Sequence, residues 1–178
     1  GMFYKLFYIC FFMIEKVDSE IIIYDKMFQG LCKKPYYGHR KGCPNFDKKE
    51  GCPPGLPLIN EVFDFENDLF VIYTEHLVGE FASRMREKHQ EWNDRQCYNP
   101  RYWQGTARKI HKAEREIALK LDGVENIVWP ENHGVNVSEL MLNFGIELNW
   151  KWPPEHNLEN ITYLVSLGGI INLESFIY

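Results

Sequence analysis

Three cysteines fall within 21 residues in the run Cys32-Lys-Lys-Pro-Tyr-Tyr-Gly-His39-Arg-Lys-Gly-Cys43-Pro-Asn-Phe-Asp-Lys-Lys-Glu-Gly-Cys52-Pro-Pro, two of them as Gly-Cys-Pro. Cysteine is often a small buried hydrophobe, but a polar stretch rich in Pro and Gly is a poor core and a good ligand set. Thiolates bind soft and borderline metals, and four ligands normally close a tetrahedral zinc or hold an iron–sulfur cluster. The fourth must come from elsewhere in the chain. Cys97 is the first choice, because it precedes the helix start at Asn99-Pro100, where the positive end of a helix dipole stabilises a thiolate. His39 is the reserve ligand, and Cys10, inside an apolar run, reads as a core residue. Neither interval between the three clustered cysteines matches a Cys-x-x-Cys knuckle or a ferredoxin run. Proline directly after two of the ligands ranks an iron–sulfur cluster, with a redox or electron-transfer role, ahead of zinc.

The Gly-Cys-Pro-Asn-Phe and Gly-Cys-Pro-Pro elements are followed downstream by Pro130-Glu-Asn-His-Gly-Val-Asn-Val-Ser-Glu and Gly145-Ile-Glu-Leu. This combination resembles an uncharacterised family of cysteine-rich proteins described as predicted metal-binding, over residues 32 to about 150. The resemblance implies metal binding and no particular reaction. In that family a Cys-Pro-Pro element closes a first cysteine group, and a second group follows. Here no cysteine follows Cys97, so a single four-thiol site is what the resemblance leaves.

The net charge of −5 hides a partition: residues 33–50 carry six Lys/Arg against two Asp/Glu, and residues 84–115 carry nine against four. Residues 51–83 carry none against six, and residues 116–178 two against nine. Both basic segments hold proposed ligands, so if the thiols meet, the positive charge meets with them. One reading is compensation of the negative charge left by thiolates around a metal. A sharper one is an anionic ligand or partner (a nucleotide, a nucleic acid or a protein) met by Lys33, Lys34, Arg40, Lys41 and Arg108, with Tyr36, Tyr37, Trp92 and Trp103 available for stacking. A third is a solvated surface. The acidic total argues against strong nonspecific nucleic-acid binding.

Walker, Rossmann and nucleophile-elbow signatures are missing. His111, among Lys109, Lys112 and Arg115, reads as exposed. Glu131 and His133 beside Gly134 could form an acid/base pair, with turn chemistry the stronger reading. Gly105 interrupts a helical pattern at a cost of about 1 kcal/mol relative to Ala, which suggests close approach of that helix to the metal loop.

The elements that must position these residues follow from periodicity. Phe3 to Ile14, Glu20 to Tyr24, Leu69 to Tyr73, Ile146 to Trp152 and Ile161 to Ile171 read as strands. A first helix carries Leu77, Phe81, Met85 and Trp92. A second, capped by Asn99 with Pro100 in its first turn, lines Trp103, Ala107, Ile110, Ile117 and Leu121 along one face. A third starts at Asn136 with Glu139 as capping-box partner, presents Val137, Leu140, Met141 and Phe144 inward and stops at Gly145. Residues 33–57 hold five of the nine prolines and no apolar period, a long loop that a metal cross-link would fix. The expectation is one mixed α+β domain over residues 1–178, with a small sheet and a metal-binding loop at about 32–57. An odd number of cysteines without a secretory signal places it in the cytoplasm, and no run is long enough to span a bilayer.

Overall fold

Two eight-residue strands, buried on both faces, set the architecture. The computed structural model describes residues 12–35 and 40–176. Chain order is β1 (Phe12–Val17), α1 (Lys26–Gln29), α2 (Ile59–Val62), β2 (Leu69–His76), α3 (Val78–Lys88), α4 (Asp94–Cys97), α5 (Pro100–Ala118), β3 (Asn126–Val128), α6 (Val137–Leu142) and β4 (Thr162–Gly169). Tight 3-10 turns occupy Ser19–Ile21, Gly30–Lys33, Pro130–His133 and Leu173–Phe176. The strands form one antiparallel sheet in the order β1-β2-β4-β3, so the class is α+β, as the sequence implies.

Because side chains alternate across a strand, β2 feeds two cores. Leu69, Val71 and Tyr73 point to one, where they meet Val165 and Leu167 of β4, Ile59 and Phe63 beside α2, and Leu140 and Met141 of α6. Ile72 joins the other with Ala118, Val124 and Ile127. Complete burial of each such aliphatic side chain stabilises the fold by roughly 1.5–3 kcal/mol. A third cluster, Val78, Ala82, Cys97, Tyr98, Trp103 and Ala107, knits α3, α4 and α5 together beside Leu164.

Capping fixes the helices where the sequence marks them. Asn99 accepts a hydrogen bond from the Arg101 amide at the start of α5, with Pro100 at its first position. Asn136 accepts one from Glu139 N to open α6, and Gly145 beyond its end takes φ +73°. The buried stripe of α5 differs from expectation: Trp103 and Ala107 face inward, but Ile117 is 50% exposed and Leu121 is exposed as well. His111, Glu114 and Ala118 complete the stripe instead.

Two expected strands are absent. Glu20–Tyr24 gives way to the 3-10 turn at Ser19–Ile21, because Asp18 and then Asp25 accept amide hydrogens and bend the chain. Only Tyr24 makes a bridge, to Val135. Residues 146–152 form no strand, although Ile146 and Leu148 still pack on the first core. The N-terminal strand is described only from Phe12, so Cys10 and most of Phe3 to Ile14 lie outside the described residues.

Candidate functional site

The cysteine loop is built outward from α1. Asp25 accepts from Met27 N at 2.7 Å and opens that helix, which runs into the 3-10 turn carrying Cys32. The Cys32 carbonyl accepts a hydrogen bond from Cys43 N at 2.7 Å, bringing two thiol-bearing positions side by side. Gly42 makes this approach possible: its φ is +81°, and a Cβ there would stand 2.6 Å from Lys33 O and 2.7 Å from Cys32 O. No other residue tolerates both conditions. Beyond Cys43 a series of turns carries the chain to Cys52, whose amide bonds Lys49 O at 3.0 Å, and Asp47 N bonds Pro53 O at 2.8 Å to fold the third cysteine back toward the other two.

Side chains from the rest of the fold anchor this loop. The buried Gln29 amide donates to Leu56 O and to Asn132 O, both at 3.0 Å. Asn132 Nδ2 donates to Gly51 O at 3.2 Å, and His133 Nδ1 to Pro57 O at 2.8 Å. The 3-10 turn at Pro130–His133 is therefore a backstop for the cysteine loop, ended by Gly134 in the left-handed region. Glu131 and His133 serve this turn, in line with the turn reading of the pair. Burial lowers the His133 imidazole below its ordinary value, a fall the Pro57 carbonyl partly opposes.

Cys32, Cys43 and Cys52 are all half-buried free thiols. Burial raises the Cys32 thiol first, and the charges of Cys43, Glu131 and Cys52 raise it further. Three thiols and a carboxylate therefore share one electrostatic neighbourhood. Desolvation raises Glu131 too, although its side chain keeps a large exposed area, so that rise carries little weight for stability. Among the described residues, no three His, Cys, Asp or Glu side chains are gathered as a ready-made metal site. Tyr36, Tyr37 and His39 lie outside the described residues.

Cys97 does not join the other three. It is 0% exposed in the α3–α5 cluster between Tyr98, Trp103 and Ala82, with its Sγ 3.9 Å from Trp92 O. Apolar packing holds this thiol, despite its place before a helix start. The two basic segments consequently do not converge on one site. Arg108 is exposed on α5, whereas Lys33, Lys34, Arg40 and Lys41 are exposed on the loop. Gly105 needs another explanation than close approach, since a Cβ there would meet nothing within 4 Å.

Comparison with family models, with curated proteins and with solved structures gives no match. The metal reading rests on this chain's own residues.

A second polar constellation escaped the sequence reading. His111 is 1% exposed and sits between the two long strands. Its Nδ1 is 2.7 Å from Thr74 Oγ1 of β2, its Nε2 is 2.7 Å from Ser166 Oγ of β4, and Thr74 Oγ1 also donates to Glu114 Oε2. With Glu114 as a carboxylate, which only accepts, the Thr74 hydrogen goes to it, and His111 Nδ1–H must then donate to Thr74. In the neutral ring Nε2 is left to accept from Ser166. Trp129 covers the imidazole at 5.3 Å, and Arg115 lies over Trp129 while donating to Ile127 O at 2.7 Å. Ser166 is 0% exposed, and this seam pins α5 to the sheet. One signal was available: His111 and Glu114 continue the helical spacing from Trp103 and Ala107, while Thr74 and Ser166 interrupt otherwise apolar strands.

Proposed function

We propose that residues 32–57 form a metal-stapled loop in which Cys32, Cys43 and Cys52 hold one ion, with His39 or Glu131 completing the set. The observation that carries this reading is the clasp at Gly42, which presses the backbones of Cys32 and Cys43 together in a loop with little apolar packing of its own. A metal would supply the cross-link that packing does not. With Cys97 sequestered in apolar packing, a mononuclear zinc fits the donor set of three thiols and one nitrogen or oxygen better than a cluster that asks for four thiolates. Zinc supplies charge neutralisation and rigidity here. The residues themselves supply a basic loop surface, bearing Lys33, Lys34, Arg40 and Lys41, whose shape the ion would hold for an anionic partner. Free thiols suit a reducing compartment, and the cytoplasm is the one we propose. Among the described residues no helix is long and apolar enough to cross a membrane.

Elemental analysis, acid-labile sulfide and a visible spectrum on protein purified without oxygen test the reading. Stoichiometric zinc without colour is the expected result. Iron with labile sulfide would instead establish the cluster and a redox role, and folded protein without metal would sink both.

A further inference from the structure

The cysteine loop also walls a cleft of about 550 Å³ against α1 and α2, lined by Lys26, Lys33, Phe46, Pro54, Leu56 and Glu61 among others. Sites for small ligands have this size and this mixture of apolar wall and few charges. Lys26 and Lys33 are both exposed, and neither makes an ion pair among the described residues. The carboxylate in the lining, Glu61, accepts from Leu58 N at 2.7 Å through Oε2. Lys33 Nζ stands 5.0 Å from the centre of the Phe46 ring, which leaves a cation and an aromatic face side by side. Two ammonium groups without an ion pair, against one carboxylate and an apolar wall, suit an anion that carries a flat or apolar body.

Each of the three cysteines proposed as ligands stands close in sequence to a residue lining this cleft. Lys33 directly follows Cys32, Phe46 lies three residues after Cys43, and Pro54 lies two after Cys52. The opposite wall, Lys26 to Gly30, belongs to α1 and its exit, and Gln29 ties it to Leu56. Closing the loop on an ion therefore sets where the cation, the ring and the proline stand relative to α1.

We propose that this cleft binds a small organic anion, an aromatic phosphate or carboxylate in class, and that the loop metal assembles it. The second clause rests on the metal-staple reading, and the first does not. The test is calorimetric titration of metal-loaded protein with phenyl phosphate, with benzyl alcohol as the uncharged control. Saturable binding of phenyl phosphate alone is expected, weakening with salt. The exposed double variant Lys26→Gln/Lys33→Gln should bind roughly tenfold or more weakly, and Lys112→Gln, on the outer face of α5, should bind as wild type does. Far-UV circular dichroism confirms that each variant is folded. Equal binding by the double variant, or none by wild type, overturns the cleft whatever the metal content proves to be. Undiminished binding after chelation overturns the coupling to the metal while leaving the anion site in place. Loss of binding on chelation, restored by adding zinc back, supports both clauses together.

Discussion

The cysteine loop and the seam between α5 and the sheet handle polar groups in opposite ways. In the seam, Thr74, His111, Glu114 and Ser166 are all buried and their hydrogen bonds run to one another, while Glu114 Oε1 has no partner among the described residues. In the loop, three thiols stay half-exposed, and burial followed by the charges of Cys43, Glu131 and Cys52 raises the Cys32 thiol, without a cation of the protein among the causes. A buried network whose members bond chiefly to one another does structural work. The half-exposed thiols of the loop are what the proposed metal staple draws on. Position in the sequence would have suggested the reverse for two residues, since Cys97 sits in a polar stretch and turns out to be core, whereas His111 sits among lysines and turns out to be buried.

The largest effect should come from the seam. His111→Ala leaves a cavity beside Trp129, takes its partner from Ser166 and one of two from Thr74, and should cost about 3–5 kcal/mol in urea unfolding. Metal content per folded molecule should stay unchanged. A loss below about 1 kcal/mol would mean that the seam is not the pin described here. Next is Gly42→Ala, which strains the clasp at φ +81° and pushes a Cβ onto the Lys33 and Cys32 carbonyls. It should cost about 1–2 kcal/mol and lower metal content, with the far-UV spectrum intact. The two regions would then fail separately, one in stability and the other in composition.

Acidification acts on both sides of the molecule. Burial lowers His133 under the loop, and it lowers His76, which stacks on Trp103 at 5.2 Å and is lowered further by Arg84. A depressed folded-state pKa favours the neutral ring. Its stabilising contribution is therefore present above the ordinary value of about 6.5 and is lost as pH falls below it. Urea midpoints should decline from pH 7.5 to pH 5, and His133→Gln, which keeps a donor for Pro57 O, should remove the loop's share of that slope. A flat profile in wild type would contradict both assignments. The smallest effect is a gain: Gly105→Ala, in an exposed helix interior with open space at the Cβ, should stabilise by about 0.5–1 kcal/mol and leave metal content as it is.

Much of this architecture could be read from local chemistry. Asn99-Pro100 and Asn136 with Glu139 and Gly145 announce α5 and α6, because caps are satisfied within a few residues of themselves. The loop was legible for the same reason, from prolines, glycines and cysteines that fit no apolar period. Tertiary partners decided the rest. Ile21-Ile22-Ile23-Tyr24 has strand composition, but the aspartates on either side take the backbone amides and bend it. The three-residue β3 is too short to leave a period, and exists because it pairs with β4. For the site, the fourth ligand was the failure: the residues around Cys97 suit an activated thiolate, and only the rings of Tyr98 and Trp103 in space show a packed one.

One measurement bears most directly on the three-thiol staple: metal stoichiometry across the single variants Cys32→Ser, Cys43→Ser, Cys52→Ser and Cys97→Ala, purified alike without oxygen. The account predicts that each loop variant loses the ion while Cys97→Ala retains it at the wild-type level. Retention in the loop variants, or loss only in the Cys97 variant, would contradict it.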